Sequence, residues 1–414
     1  MPEFLFDDVI VADDSPELQM HLADAHARKL RPLCMCLSQG VPMYVARAGK
    51  GYAIKRMPNS GRRHGADCTS YEPPPEASGL GQVQGVAIQE SAEDGTTALK
   101  FDFSLSRQGG RAAPSASGDL SDTVRTDGAK LTLRASLHYL WDKAGLNRWA
   151  PGMAGKRSWY VVRSRILEAA SHCTTKGESL GDLLYVPEPF VLDQALQLRQ
   201  RRSARLATLN TSGKTRKFMI VVGEVKEIGA SRFGFKLTAK HLPDFPLMLD
   251  EDIHRRFAKR FERELAMWSG MDNSHLMFIA TISMGPTGLA SIESMAAMVV
   301  NANWLPLEDL YEAQLLEALV GQRRRFVKGM RYNLPESRPL ACAIVSDVPL
   351  LPEGIALYIS KPGTDENESA ALSDLIDASN LPHWIWRADE EMPALPHATG
   401  VAAASAHSQR PHQG

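Results

Sequence analysis

The chain has 414 residues, 44% hydrophobic and 23% charged, which supplies more than one core and excludes a disordered or fibrous chain. Lys plus Arg number 47 against 48 Asp plus Glu, so a uniformly basic nucleic-acid coat is excluded, whereas local basic faces are not. No apolar run reaches the roughly 18 residues of a membrane span, the acidic start MPEFLFDDVIVADDSPE does not read as a secretory signal, and five cysteines do not suit a disulfide framework. The expectation is a reduced, cytoplasmic α+β protein with no membrane contact.

Residues 1–75 hold three of the five cysteines and close on Pro73, Pro74 and Pro75, which continue neither a helix nor a central strand. Within them, 42–47 and 52–56 flank Ala48-Gly49-Lys50-Gly51 and read as a β-hairpin. Residues 76–130 give one alternating run, 98–105, read as a strand, then a Gly/Ser/Ala-rich flexible linker. Residues 131–210 read as a helical segment. Leu133, Leu137, Leu140 and Trp141 recur at helical spacing, a second helix covers 158–171, a short strand 183–186 stops at Pro187, and a basic helix covers 191–209.

Residues 211–300 combine strand-like runs at 218–222 and 233–239 with a helix over 251–268, its apolar face made by Phe257, Phe261, Leu265 and Trp268, and a strand at 276–282. Residues 301–387 form a C-terminal α/β unit, with a helix over 307–327 and strands at 342–345 and 355–359. The Ala/His/Pro/Ser-rich stretch 388–414 reads as a disordered tail. The architecture expected is an N-terminal zinc-stapled β-hairpin module, a central helical segment and mixed β-sheet units covered by helices.

The strongest chemical signal lies in the first module. Cys34 and Cys36 precede the hairpin, and His64 and Cys68 follow it. A hairpin returns the chain to its start, so the two pairs meet. Cysteines two apart on an extended strand share a face, and His64 and Cys68, four apart, converge on a helical turn. Three thiolates and one imidazole complete a tetrahedral Zn²⁺ shell with no open position, which makes the site structural.

The run RPLCMCLSQGVPMYVARAGKGYAIKRMPNSGRRHGADCTSYEPP, with the blocks LHYLWDKAGLNRW, GEVKEI and RRRFVKGMRYNLPESRPLA, resembles the domain-of-unknown-function 1173 family of bacterial proteins. The resemblance implies three shared N-terminal cysteines, matched by Cys34, Cys36 and Cys68, and an association with integrative mobile elements. It implies no established activity.

Glu224-Val225-Lys226 follows an apolar strand. In restriction-endonuclease-type sites, a Glu and a Lys two residues apart share a face, the first holding Mg²⁺ and the second orienting water. The required neighbouring Asp is not evident. Glu312 and Asp347, in a helix–strand–strand order at the C-terminus, suggest a degenerate copy of the same core. Thr211-Ser-Gly-Lys-Thr215 imitates a phosphate-binding loop but lacks its first glycine and its strand-to-helix context.

Three basic stretches suit phosphate. Lys156, Arg157, Arg163 and Arg165 open and line the second helix, in an order reminiscent of a winged helix. Arg199, Arg201, Arg202 and Arg205 lie on the next helix, and Arg323, Arg324, Arg325, Lys328 and Arg331 lie near the C-terminus. Trp149, Trp159 and Tyr160 are candidates for stacking on bases. The reading is a non-catalytic, zinc-binding, DNA-associated accessory protein of a bacterial mobile element. The alternatives are a metal-dependent nuclease using Glu224 and Lys226, and a protein-interaction module whose zinc is purely structural. The sequence leaves partner and oligomeric state open.

Overall fold

A computed structural model describes residues 2–48, 51–91, 95–108, 128–209, 215–232, 234–285 and 288–397. The expected linker over 109–127, most of the Thr211–Thr215 run, the hairpin tip at 49–50 and the tail beyond 397 lie outside them. The protein is a mixed α+β structure.

The first sheet has five antiparallel strands in the order Val9–Ala12, Glu3–Phe6, Leu33–Cys34, Val41–Ala48, Gly51–Arg56. The helix Leu18–Arg28 packs on its last two strands, burying Leu18, Leu22 and Ala25. The outer hairpin and this helix were not expected from the acidic opening residues. Another sheet of five strands, at the other end of the chain, has the order His383–Arg387, Ile355–Ser360, Ala343–Val345, Phe326–Lys328, Arg148–Trp149. The two ends share one core: Phe4, Leu22, Val41 and Met43 cluster with Val327, Ile344, Ala356 and Tyr358. Backbone bonds tie the same regions, Ala66 N to Pro352 O at 2.8 Å and Gly79 N to Met330 O at 2.9 Å.

Between them, five strands close into a ring. Met219–Ser231 pairs through its first half with His275–Met284 and through its second half with Gly234–Ala239. Gly234–Ala239 pairs with Leu247–Leu249, which runs parallel to Ala290–Val300, and that strand returns to His275–Met284. A register shift between Val225 and Glu227 marks a β-bulge where the shared strand changes partner. The helices Glu251–Arg260 and Glu262–Gly270 sit between the third and fourth strands and bury Phe257, Phe261 and Met267. The single helix expected over 251–268 is thus two, broken at Phe261. Leu133–Lys143, started by a Thr132 side-chain cap on Ala135 N, packs on the outside of the fourth and fifth strands.

Several expected elements differ in extent. The helix expected over 307–327 is Leu310–Gly321, and Phe326–Lys328 is instead a strand. The chain leaves the helix through Arg323 in the left-handed region at φ 58°, with Arg324 N donating to Leu319 O. The strand expected over 98–105 shortens to Thr97–Leu99. Residues 388–397, expected to be disordered, pack instead: Leu395 is buried, Trp384 Nε1 donates to Ala394 O at 3.1 Å, and Arg324 donates to Pro396 O.

Candidate metal centre

Cys34 ends a two-residue strand held between Phe4 and Val41, so its position is fixed from both sides. Cys36 lies just beyond, in the turn that Gly40 completes at φ 62°. After the hairpin, the 3-10 turn Gly61–Arg63 hands the chain to an extended His64 (φ −84°, ψ 153°). A tight turn then brings Cys68 N onto Gly65 O at 2.9 Å. The helical turn expected across His64 and Cys68 is therefore absent, and the tight turn performs the convergence.

Cys34 Sγ and Cys68 Sγ are 3.7 Å apart, Cys36 Sγ and His64 Nδ1 3.4 Å, and Cys68 Sγ and His64 Nδ1 3.7 Å. All four ligand atoms lie within 4.8 Å of one another. A tetrahedron built on Zn–S and Zn–N bonds of about 2.3 and 2.05 Å has edges of about 3.8 Å between sulfurs and about 3.6 Å between sulfur and nitrogen. The four side chains thus have the geometry to hold a metal ion. Ser70 N donates to Cys68 Sγ at 3.4 Å, a contact that stabilises a thiolate. With protons in place of a metal, the Cys34 thiol donates to Cys68 and His64 faces it, drawing the Cys68 pKa down to about 4 against its burial. The same bond, with burial, raises Cys34. His64 Nε2 is buried without a partner among the described residues, so packing rather than a second hydrogen bond orients the ring.

The other candidates separate. Glu224 is buried, and its Oε1 accepts from His275 Nδ1 at 2.7 Å and from Lys240 Nζ at 2.9 Å. Burial raises its pKa, but His275 and Lys240 outweigh this and hold it low. Lys226 does not join them. The bulge turns it and Glu227 together onto the exposed face of the barrel. At the C-terminus, Glu312 closes on Lys328 at 2.9 Å and Asp347 on Arg324 at 2.8 Å, so these carboxylates are held apart by their own cations. Burial pushes Glu312 up to about 7, with Lys328 opposing.

Most expected phosphate contacts are engaged internally. Arg201 forms a two-pronged pair with Glu188 at 2.9 Å, and Arg202 is buried on Asp244 at 2.8 and 3.0 Å. Arg163 donates to Val186 O at 3.1 Å, and Arg205 to Gly181 O and Leu184 O. Arg324, Lys328 and Arg331 are buried, so that part of the C-terminal basic run belongs to the core, while Arg323 and Arg325 stay exposed. Trp149 and Trp159 are buried too, while Tyr160 is exposed. The partners Asp244, His275 and Glu308 gave no sequence signal, because each is distant along the chain from the residue it neutralises.

Lys156 stands differently, and Arg157 only in lacking an acid. Lys156 is exposed and has no partner among the described residues. Arg157 donates to the carbonyls of Leu146 at 2.8 Å, Asn303 at 3.1 Å and Arg148, so it too is engaged internally, though with no carboxylate among the described residues, and burial pulls its pKa down to about 10. Both line a cleft of about 590 Å³ that Thr69, Ser70 and Glu72, just beyond Cys68, also line. Seven Lys and Arg side chains line it against the carboxylates Glu72, Glu90 and Asp142. Within it, Arg56 and Lys143 alternate with Glu72 and Glu90 in a closed four-charge ring that fixes the metal module against the helix Leu133–Lys143.

The family described as "Protein of unknown function (DUF1173)" matches residues 4–389, and the chain belongs to it. Searches among curated proteins and among solved structures gave no match. Among the described residues, no helix is long and apolar enough to cross a membrane.

Proposed function

We propose that the chain is a non-catalytic, zinc-stapled, DNA-associated accessory protein of a bacterial mobile element, working in the cytoplasm. The observation that carries this reading is the four-ligand cluster of Cys34, Cys36, His64 and Cys68. A donor set of three thiolates and an imidazole on tetrahedral edges selects zinc and leaves no position for substrate or water. In this reading zinc clamps the two ends of the N-terminal hairpin and fixes one wall of the basic cleft. The surplus of cations there, with Lys156 exposed and unpartnered among the described residues, suits phosphate. The mobile-element setting rests on the family resemblance.

The test has two parts. Metal analysis is expected to return one zinc per chain, lost in the double variant Cys34→Ser, Cys36→Ser. Titration with labelled DNA at low salt is expected to show binding that weakens steeply as salt rises. Metal-free, fully folded protein would remove the zinc reading, and no DNA binding at low salt would remove the DNA association.

A second reading, a protein-interaction module, draws on Val191, Leu192 and Leu196, apolar side chains 45%, 77% and 67% exposed on one short stretch. A defined protein partner that co-purifies after nuclease treatment would favour it.

A further inference from the structure

The ring of strands has a specific chain order. Numbered from Met219–Ser231, the strands lie 1-2-3-5-4 and back to 1, the third and fifth are parallel, and helices join the third to the fourth. This is the Greek-key order of the OB-fold barrel, whose face on strands 2 and 3 takes oligonucleotides or oligosaccharides. Topology alone is an analogy, so the face itself must carry the chemistry.

In this barrel the other sheet surfaces are covered. Along His275–Met284 and the first half of Met219–Ser231, side chains of both alternations are buried, one set inside the barrel and the other beneath packed elements. The second half of strand 1 stays exposed or half-buried, and Lys236 and Met248 on strands 2 and 3 stay half-buried, while Thr238 beside them is buried. Leu237, Leu247 and Leu249 point inward, which puts Lys236 and Met248 outside. In register across the face lie Gly229, Lys236, Met248 and Ser291. A side chain at Gly229 would meet nothing within 4 Å, so the sheet there is bare. The bulge adds Lys226 to the same face. Neither Lys226 nor Lys236 has a carboxylate partner among the described residues, and the neighbouring Glu227 accepts from Thr238 at 3.2 Å.

We propose that this open face seats a single strand of nucleic acid, its phosphates held by Lys226 and Lys236 and its chain lying over the bare strip at Gly229. The proposal rests on the nucleic-acid reading above and names the form bound. Two unpaired ammonium groups favour a polyanion over an oligosaccharide. Among the described residues the outer row carries no aromatic ring, so binding is led by phosphate: independent of sequence and steeply salt-dependent.

The experiment is fluorescence anisotropy with zinc-loaded full-length protein, a labelled oligothymidylate of about 20 nucleotides and a duplex of equal length. Wild type is expected to prefer the single strand. Lys226→Glu with Lys236→Glu is expected to weaken it about tenfold or more and to flatten the salt slope by about 1.4, as two lost single-strand phosphate contacts require. Gly229→Leu, which fills open space without changing charge, is expected to weaken it too. Lys156→Glu with Arg165→Glu in the cleft, and Arg255→Glu with Arg256→Glu on an exposed helix, are the comparisons.

Duplex preference, or barrel variants that bind like wild type while the cleft variant fails, overturns this inference and leaves the nucleic-acid reading intact. Failure of wild type to bind either form at low salt overturns both. Unchanged zinc content and melting temperature in the barrel variants exclude misfolding as the cause of a loss.

Discussion

Two polar clusters in this molecule look alike in burial and differ in charge closure. Around Glu308 and Glu312, two carboxylates are answered inside the chain, by Arg331 at 2.5 Å and Lys328 at 2.9 Å. At Cys34, Cys36, His64 and Cys68, three sulfurs and a ring nitrogen converge, and among the described residues no Lys or Arg pairs with them. The first cluster is complete as folded. The second has the geometry to take a cation from outside. The difference separates a structural polar core from a ligand site more reliably than burial does, and it also sorts the arginines: Arg202 has its acid and Arg157 does not.

The sharpest way to break the comparison is at the thiols. Cys34→Ser with Cys36→Ser, or chelation, is expected to unfold the first sheet, because metal affinity in such small modules is folding energy on the order of 10 kcal/mol. Metal analysis with thermal unfolding reads this, and a melting temperature equal to wild type would erase the distinction. At the closed cluster, Lys328→Met strands Glu312 and is expected to cost about 3–5 kcal/mol, whereas Lys328→Met with Glu312→Leu costs much less because no charge is left unpaired. Denaturant unfolding of the single and double variants measures it, and equal losses would contradict charge closure.

A gentler test is acid. Burial raises Glu72, but Lys143 and Arg56 outweigh it and bring its pKa to about 2. A carboxylate depressed in the folded state contributes stability that is fully present above its unfolded value of about 4.3 and is lost as pH falls toward the folded value. Glu72→Gln is therefore expected to flatten the acid side of the curve of unfolding midpoint against pH between about 5 and 2. A curve parallel to wild type would show that the four-charge ring contributes nothing. The smallest effect is expected at Lys226→Ala, within about 0.5 kcal/mol because the side chain is exposed and unpartnered, against a clear loss in Glu224→Ala, which frees His275 and Lys240.

The cluster that could hold a metal was legible in the sequence because most of the signal is local: a β-hairpin between Cys36 and His64 returns the chain, and a tight turn completes the approach of position 68 to position 34. The ring of strands was not. Its closure depends on one strand changing partner at a bulge and on a parallel contact between Leu247–Leu249 and Ala290–Val300. The latter, ASIESMAAMVV, is rich in Ala and Met and takes strand form from its neighbours rather than from propensity. The helix Glu366–Ser379 was legible and passed over, since Asp365 and Glu368 form a capping pair, Asp365 Oδ1 accepting from Glu368 N at 2.8 Å. Positive charge was readable at every arginine. Its neutralisation was not, because Asp244 lies far along the chain from Arg202.

The core shared by the two ends of the chain has a consequence in time. Cys68 leaves the ribosome long before Ile344, Ala356 and Tyr358, against which the first sheet packs. At about 5–20 residues per second, the N-terminal sheet waits on the order of 15–60 s for its other half. Through that interval the segment has only its own ties, the pairing of Phe4 with Cys34 and the meeting of Cys34 with Cys68 in the cluster that could hold a metal ion. A metal ion held there would clip the segment together during synthesis as well as in the finished fold.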